Sequence, residues 1–167
     1  MNDLLIREPF PHLIIDNWTN AELLRSVEIT WPPITWEHWY LHEGKKRTVK
    51  DPFRHPPAAA EVLRRMHSLE VEKLTGIAGT FPDWNAHAAG LHDVESGGSV
   101  GIHLDSDHHP QMGWTRVMSV ILFCNERWEK SWGGCLELRD SSAKTVVVSI
   151  EPVFNRLVLF LTGDFAY

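Results

Sequence analysis

The spacing of apolar residues changes along the chain and predicts helices in its first half and strands in its second. A short apolar run at residues 12–15 predicts a strand, and a capping-box sequence at residues 19–22 precedes a short amphipathic helix. From residue 57 to residue 74 the apolar positions follow helical spacing, with proline near the start and Gly76 just past the end. We expect one helix across this range.

After residue 99, apolar and polar residues alternate with a period of two, as in strands that bury one face. The pattern predicts strands at residues 100–104, 115–124, 135–138, 145–150 and 155–161. Glycine pairs and an Asp-Ser-Ser sequence separate them. Helices followed by a run of antiparallel strands predict an α+β fold whose β part is a jelly roll or a related barrel.

Between the helical segments, three aromatic residues at 36–40 precede a turn at residues 43–46, where Gly44 permits a left-handed backbone. We expect a hairpin or flap here, which the aromatic side chains pack in place. The turn contains a basic run at residues 45–47. This run is either a solvated turn or, on a flap, a feature that attracts an anionic substrate.

The 167 residues, 43% of them hydrophobic and eight of them Trp, are enough to bury one sizeable core. We expect a single domain over residues 1–167, with a helical and flap part at 1–85 and a β-barrel core at 86–167. The net charge of -6 argues against binding to nucleic acid through a broad basic surface. We find neither a membrane-spanning stretch nor a signal peptide. Cys124 and Cys135 are too few for a disulfide framework, which favours a cytoplasmic protein.

His103 and Asp105 are the strongest candidate metal ligands. Side chains two residues apart on a strand share a face, with Cα atoms about 6.5 Å apart, so both can bind one cation. Imidazole and carboxylate together suit iron, manganese or zinc. The His-x-Asp pattern alone carries little weight, because the chain contains ten His. Its surroundings supply the weight.

The surroundings of the pair form an ordered series of short motifs. In order, these are Gly90-Leu91-His92, Gly97-Gly98, His103-x-Asp105, Arg116, Phe123-Cys124-Asn125-x-x-Trp128, Gly133-Gly134-x-Leu136-x-Leu138 and Pro152-x-x-Asn155-Arg156-Leu157-Val158-Leu159-Phe160. With these motifs the chain resembles the prolyl-4-hydroxylase-like group of 2-oxoglutarate/Fe(II) dioxygenases across roughly half its length. The motifs at residues 9–12 and 46–47 also resemble bacterial members of that group.

This resemblance implies a double-stranded β-helix, that is, a cupin-like jelly roll, with the N-terminal helices packed on it. His103 and Asp105 would be catalytic residues that bind Fe(II) together with a second histidine from a later strand. 2-Oxoglutarate and O2 would take the open positions, with ascorbate as a further cofactor. A C–H bond of a peptide, protein or small-molecule substrate would be hydroxylated, with succinate and CO2 as the other products.

The sequence departs from the family pattern near Tyr167. In such relatives a distal histidine and a basic residue that binds 2-oxoglutarate follow the strand at 155–161, and both would lie beyond Tyr167. Three interpretations stay open: a fragment of a longer enzyme, a natural truncation without turnover, or a third ligand from His108, His109 or a partner subunit. Sheet edges left unpaired by missing C-terminal strands would favour a homodimer.

A second departure concerns the cosubstrate. Many relatives carry tyrosine where this chain has Phe123, and its hydroxyl contacts 2-oxoglutarate. Because Phe123 has no hydroxyl, we expect cosubstrate binding to involve Ser119, which shares a face with Phe123, or His92. A purely structural interpretation of His92 stays open, and Arg116 either forms a buried ion pair or contacts substrate.

Two other functions are compatible with these motifs. One is a jelly-roll module that binds a ligand without turnover, and the other is a cupin-like zinc or manganese protein with a different third ligand. The substrate itself does not follow from the fold.

Overall fold

The structure is a computed structural model that describes residues 5–49 and 51–167. Residues 1–4 and Lys50 of the predicted single domain lie outside the described residues. The chain divides into two compact units. The first holds the residues up to Thr19, Glu70–Phe81 and Ile102–Tyr167, and the second holds Asn20–Leu69 and Pro82–Gly101. The single domain with parts at 1–85 and 86–167 stays a prediction.

Helices and strands alternate in the first half of the chain, and strands follow in the second half. The helices are α1 (Ala21–Ile29), α2 (Pro57–His67) and α3 (Val71–Thr75). The strands are β1 (His12–Asp16), β2 (Trp39–Leu41), β3 (Lys46–Val49), β4 (His92–Val94), β5 (Met118–Phe123), β6 (Leu136–Arg139), β7 (Val146–Ile150) and β8 (Arg156–Leu161). All strand pairs are antiparallel, which confirms the predicted α+β class.

The first unit is built on a sheet in the order β1-β8-β5, with β8 in the centre. Three cross-strand rows share one face of this sheet, which we call the inner face: His12–Phe160–Ser119, Ile14–Val158–Ile121 and Asp16–Arg156–Phe123. The β6–β7 hairpin contributes Leu136, Leu138, Val148 and Ile150 to one apolar core with this face. Full burial of one such aliphatic side chain stabilises the fold by roughly 1.5–3 kcal/mol.

Asn155, just before β8, joins this central strand to the segment that follows β1. It adopts a left-handed backbone with φ of 63° and is 1% exposed. Its Oδ1 accepts a hydrogen bond from the Thr19 backbone N–H at 3.0 Å, and its Nδ2 donates to the Thr19 carbonyl at 2.7 Å. Asparagine tolerates this backbone better than most residues. This asparagine of the motif that suggested the family resemblance therefore has a structural role.

The second unit contains α1 packed on α2 and a sheet in the order β2-β3-β4. The predicted hairpin is confirmed, and its turn places Gly44 and Lys45 at φ of 71° and 60°. Arg47 is not part of a solvated turn, as one interpretation of the basic run assumed. It is buried, donates from Nη1 to Asp93 at 2.6 Å, and pairs through Nη2 with Glu95.

Two predictions about helices were wrong in detail. The helix expected over residues 57–74 ends at His67, because the Ser68 backbone N–H bonds back to Arg64 and Arg65 and Glu70 leaves the helical region at ψ of 69°. The first helix is capped by Asn20, whose Oδ1 accepts from the backbone N–H groups of Glu22 and Leu23. The spacing of apolar residues continues past the end of α2 and before the start of α1, so it does not mark either helix boundary.

The strand predicted at residues 100–104 is absent. Residues 99–107 form no strand, so His103 and Asp105 lie in an extended loop rather than on a ladder. A period-two pattern makes a strand only where another strand pairs with it, and within the described residues this segment has no such partner. The other predicted strands are confirmed with shorter or slightly shifted bounds. Among the described residues, no helix is long and apolar enough to span a bilayer.

Candidate functional site

His103 and Asp105 lie close together in the loop that precedes β5. The distance between His103 Nε2 and Asp105 Oδ1 is 3.5 Å, and the two side chains are 54% and 27% exposed. Two atoms that each bind one metal ion at about 2.0–2.2 Å lie at most about 4.4 Å apart. The nitrogen and the oxygen are therefore near enough to share a cation, and both donor types suit a first-row transition metal.

The second carboxylate oxygen of Asp105 has a different partner. Ser119 Oγ, on the inner face at the start of β5, donates a short hydrogen bond to Asp105 Oδ2. A hydrogen bond to a carboxylate is stronger than one between neutral groups. The loop is thus tied to the sheet at Asp105, and Asp105 Oδ1 is the oxygen left near His103.

Residues 107–116 form a small hairpin between the His103–Asp105 pair and β5. The Arg116 N–H donates to the Asp107 carbonyl at 2.7 Å, and the His109 N–H donates to the Trp114 carbonyl at 2.8 Å. At its tip, His109 is 8% exposed, and its Nδ1 accepts backbone N–H bonds from Gln111 and Met112, each at 3.2 Å. His109 thus stabilises the turn.

His108 has a local partner as well. Its Nδ1 donates to Asp107 Oδ1 at 2.6 Å, and this hydrogen bond lowers the pKa of the Asp107 carboxyl below its ordinary value. Sequence reasoning proposed His108 or His109 as a third metal ligand. Among residues 5–49 and 51–167, no three His, Cys, Asp or Glu side chains form a group able to hold a metal ion. The structure does not bring either histidine together with the pair.

Aromatic rings brace the hairpin from the segment before it. The Phe81 and Trp114 rings meet edge to face with centroids 5.1 Å apart, and the His109 ring contacts Trp114 at 5.6 Å. Such pairs add about 0.5–1.5 kcal/mol beyond the area they bury. This contact orders the hairpin next to the candidate site.

The residues predicted to bind the cosubstrate lie in different places. Ser119 and Phe123 are both on the inner face of β5, where Phe123 packs against the core of the first unit. His92 begins β4 in the second unit and pairs in register with Thr48. Ser119 contacts Asp105, whereas Phe123 is four residues further along the strand. A role for any of them in cosubstrate binding stays a prediction.

Other candidate residues contribute mainly to packing. Trp36 and Trp39 meet edge to face at 5.8 Å, and Trp39 Nε1 donates to the Pro33 carbonyl at 3.0 Å. The Arg116 carbonyl accepts a hydrogen bond from Thr162 Oγ1 at 2.7 Å, which joins the start of β5 to the end of β8. The proposed ion pair or substrate contact of the Arg116 side chain stays a prediction.

Sequence reasoning missed the contact between Ser119 and Asp105. The period-two pattern placed the Ser119 side chain on the same face as Phe123, and that placement is confirmed. The missing information was the course of the loop after Asp105, since only the hairpin at 107–116 returns the chain so that Ser119 reaches the carboxylate.

Comparisons with known proteins agree with the motifs. The model of a family described as the 2OG-Fe(II) oxygenase superfamily matches residues 89–166. The crystal structure of a Pseudomonas putida prolyl-4-hydroxylase is similar in fold, with a TM-score of 0.63 and 21% sequence identity over 93% of this chain and 82% of that one. A search of curated proteins found no match.

Proposed function

We propose that the protein is a member of the 2OG-Fe(II) oxygenase superfamily, whose model matches residues 89–166, and that it uses Fe(II), 2-oxoglutarate and O2 to hydroxylate a C–H bond of a peptidyl or small-molecule substrate. The family model and the similar fold of the Pseudomonas putida prolyl-4-hydroxylase support the family resemblance and the dioxygenase class inferred from the sequence. The observation that carries the proposal is the 3.5 Å separation of His103 Nε2 and Asp105 Oδ1.

In this proposal His103 and Asp105 hold the iron. When bound, the iron couples oxidative decarboxylation of 2-oxoglutarate to insertion of an oxygen atom into the substrate C–H bond. His103 would present Nε2 and Asp105 would present Oδ1 to the metal. Both side chains are partly exposed, which leaves the metal reachable from solvent.

The inner face of the first unit supports the jelly-roll part of the proposal. The β1-β8-β5 sheet and the β6–β7 hairpin enclose one apolar core, as the two sheets of a double-stranded β-helix do. Phe123 contributes an apolar surface inside this core, and Ser119 contributes a hydroxyl at its edge. We propose that the cosubstrate lies along this face, where Phe123 offers contact to its methylene groups but no hydrogen bond.

The test is an anaerobic titration of the full-length protein with Fe(II) and 2-oxoglutarate. We expect the weak visible charge-transfer absorption of the iron chelate in the original protein and its loss in His103→Ala. The matched control is His108→Ala, which removes an exposed histidine of the neighbouring hairpin and should keep the absorption. Succinate release with candidate peptides, with and without ascorbate, would measure turnover.

The proposal fails if the full-length protein gives neither the absorption nor succinate with any substrate mixture. Elemental analysis of protein purified without added iron then separates the remaining candidates. Stoichiometric zinc or manganese would favour a cupin-like metalloprotein, and a metal-free protein stabilised by a ligand would favour a binding module without turnover.

A further inference from the structure

The carboxylate of Asp105 is held asymmetrically. Its Oδ2 accepts the hydrogen bond from Ser119 Oγ, and its Oδ1 lies 3.5 Å from His103 Nε2. A carboxylate without such a restraint can rotate and offer one or both oxygens to a metal ion. Here one oxygen already accepts a hydrogen bond that fixes the orientation of the carboxylate, and the other oxygen lies near His103.

Ser119 is itself placed by rigid structure. It lies on β5 and pairs in register with Phe160 of the central strand β8. Just before it, the Val117 carbonyl accepts the Thr162 N–H at 2.9 Å, and the Arg116 carbonyl accepts Thr162 Oγ1 at 2.7 Å. The Ser119 hydroxyl therefore lies at the start of a strand that hydrogen bonds hold to β8, whereas Asp105 lies in a loop. The strand fixes the hydroxyl, and the hydroxyl in turn orients Asp105.

We propose that Ser119 is a positioning residue that restricts Asp105 to metal binding through one oxygen and aims that oxygen at the ion held by His103. This inference rests on the proposed function, since it takes His103 and Asp105 as the metal ligands. It assigns Ser119 a role different from the cosubstrate contact expected from the sequence. Its consequence is that a coordination position that the second carboxylate oxygen would otherwise take stays available.

A spectroscopic metal titration of the metal-free, full-length protein with Co(II) tests this role without any turnover. Loss of a group that orients a metal ligand typically weakens metal affinity by about 10- to 100-fold. We expect Ser119→Ala to weaken Co(II) binding by about tenfold or more, because Asp105 loses the hydrogen bond that orients it. The visible Co(II) bands should change as well, because Asp105 is then free to bind through both oxygens. Ser119→Thr keeps the hydroxyl and should restore both affinity and spectrum.

The matched control is Ser142→Ala. Ser142 Oγ donates to Asp140 Oδ1 at 2.7 Å in the turn between β6 and β7, so this change removes the same kind of bond elsewhere in the same unit. Co(II) binding should be unchanged in it. If Ser119→Ala proves too unstable to purify, Ser119→Val, which has the shape of the threonine variant without its hydroxyl and favours a strand, should show the same weakening.

The outcomes separate the two proposals. If the original protein binds Co(II) and loses it in His103→Ala, but Ser119→Ala has the original affinity and spectrum, the positioning role is overturned and the metal site stands. Weakening that Ser119→Thr does not rescue also overturns it, since the hydroxyl would then not be the cause. If the original protein binds no Co(II), the proposed metal site falls and this inference falls with it.

Discussion

Single residues in this protein owe their roles to partners far away in the sequence. Asn155 is the clearest case, because its side chain bonds to both backbone groups of Thr19 from a left-handed conformation. The sequence marked Asn155 only as part of a motif. Nothing in the local pattern indicates a partner 136 residues earlier, so this role could not be predicted from spacing.

Replacing Asn155 by Ala should destabilise the protein substantially. The change removes two buried hydrogen bonds of about 0.5–1.5 kcal/mol each and places alanine in a left-handed backbone that costs about 1–2 kcal/mol. We expect a loss of about 2–4 kcal/mol in the free energy of unfolding, measured by urea denaturation. A loss below that of the control described next would show that the Thr19 bonds contribute little.

The control for this prediction is Asn17→Ala. Asn17 also has a left-handed backbone, with φ of 53°, but it is exposed. The change carries the same backbone cost without loss of a buried amide. Asn17→Ala should therefore cost about 1–2 kcal/mol, and the difference between the two variants measures the bonds to Thr19.

At the scale of elements, ion pairs and buried rings hold segments that spacing patterns do not relate. In the second unit, the buried Arg47 of β3 pairs with two carboxylates, Asp93 on β4 and Glu95 just after it. The hairpin itself was predictable, because Gly44 and the flanking aromatic residues mark a reversal. The pairing of this hairpin with β4 was not predictable, because a run of basic residues does not indicate which carboxylates it pairs with.

Arg47→Leu should destabilise the protein by about 3 kcal/mol or more, because it leaves two neighbouring carboxylates without their cation. Chemical denaturation measures the loss. Lys46→Leu, at the adjacent and less buried position, should cost far less. If Asp93→Asn combined with Glu95→Gln fails to recover part of the lost stability in Arg47→Leu, then repulsion between the carboxylates is not the cause.

His55 should make stability depend on pH. Both ring nitrogens are buried and have no hydrogen-bond partner among the residues that the structure describes, and the ring lies within 2.7 Å of where a Cβ on Gly90 would be. Burial lowers the His55 pKa from its ordinary value near 6.5, although the charge of Asp51 opposes this. Because the unfolded chain then binds the proton more readily, stability should rise with pH across the range just below 6.5 and level off above it.

Unfolding measured across this pH range tests the His55 prediction. His55→Phe cannot take up a proton and should show a flatter pH dependence than the original protein. His108→Phe alters an exposed histidine in the other unit and should keep the original dependence. An unchanged slope in His55→Phe would exclude His55 as the origin.

For the molecule as a whole, metal binding should appear as added stability. A ligand that binds only the folded state raises the melting temperature, and the shift grows with the logarithm of the ligand concentration relative to its Kd. Co(II) should therefore raise the melting temperature of the metal-free, full-length protein, and a chelator should reverse the shift. The shift should be lost in Asp105→Asn and kept in Asp107→Asn, whose carboxylate bonds to His108 instead. A shift retained in Asp105→Asn would place the metal elsewhere.

The α+β class and the order of the strands were predictable, because apolar spacing reports directly which face of an element is buried. The candidate pair at His103 and Asp105 was predictable from its motif. The assumption that the pair lies on a strand was wrong, because pairing partners are not encoded in the spacing of one segment. Ser119, too, was placed on the correct face, but its contact with Asp105 was not predictable, since the loop path between Asp105 and β5 depends on hydrogen bonds across the hairpin.

The pairing of β1 with β8 also bears on how this protein is made. Leu13, made early, reaches its position beside Leu159 only after all the residues between them have been synthesised. Contacts between such distant segments close slowly, because the intervening chain must first lose its freedom. During translation, β1 therefore has no partner strand until the residues of β8 have left the ribosomal exit tunnel.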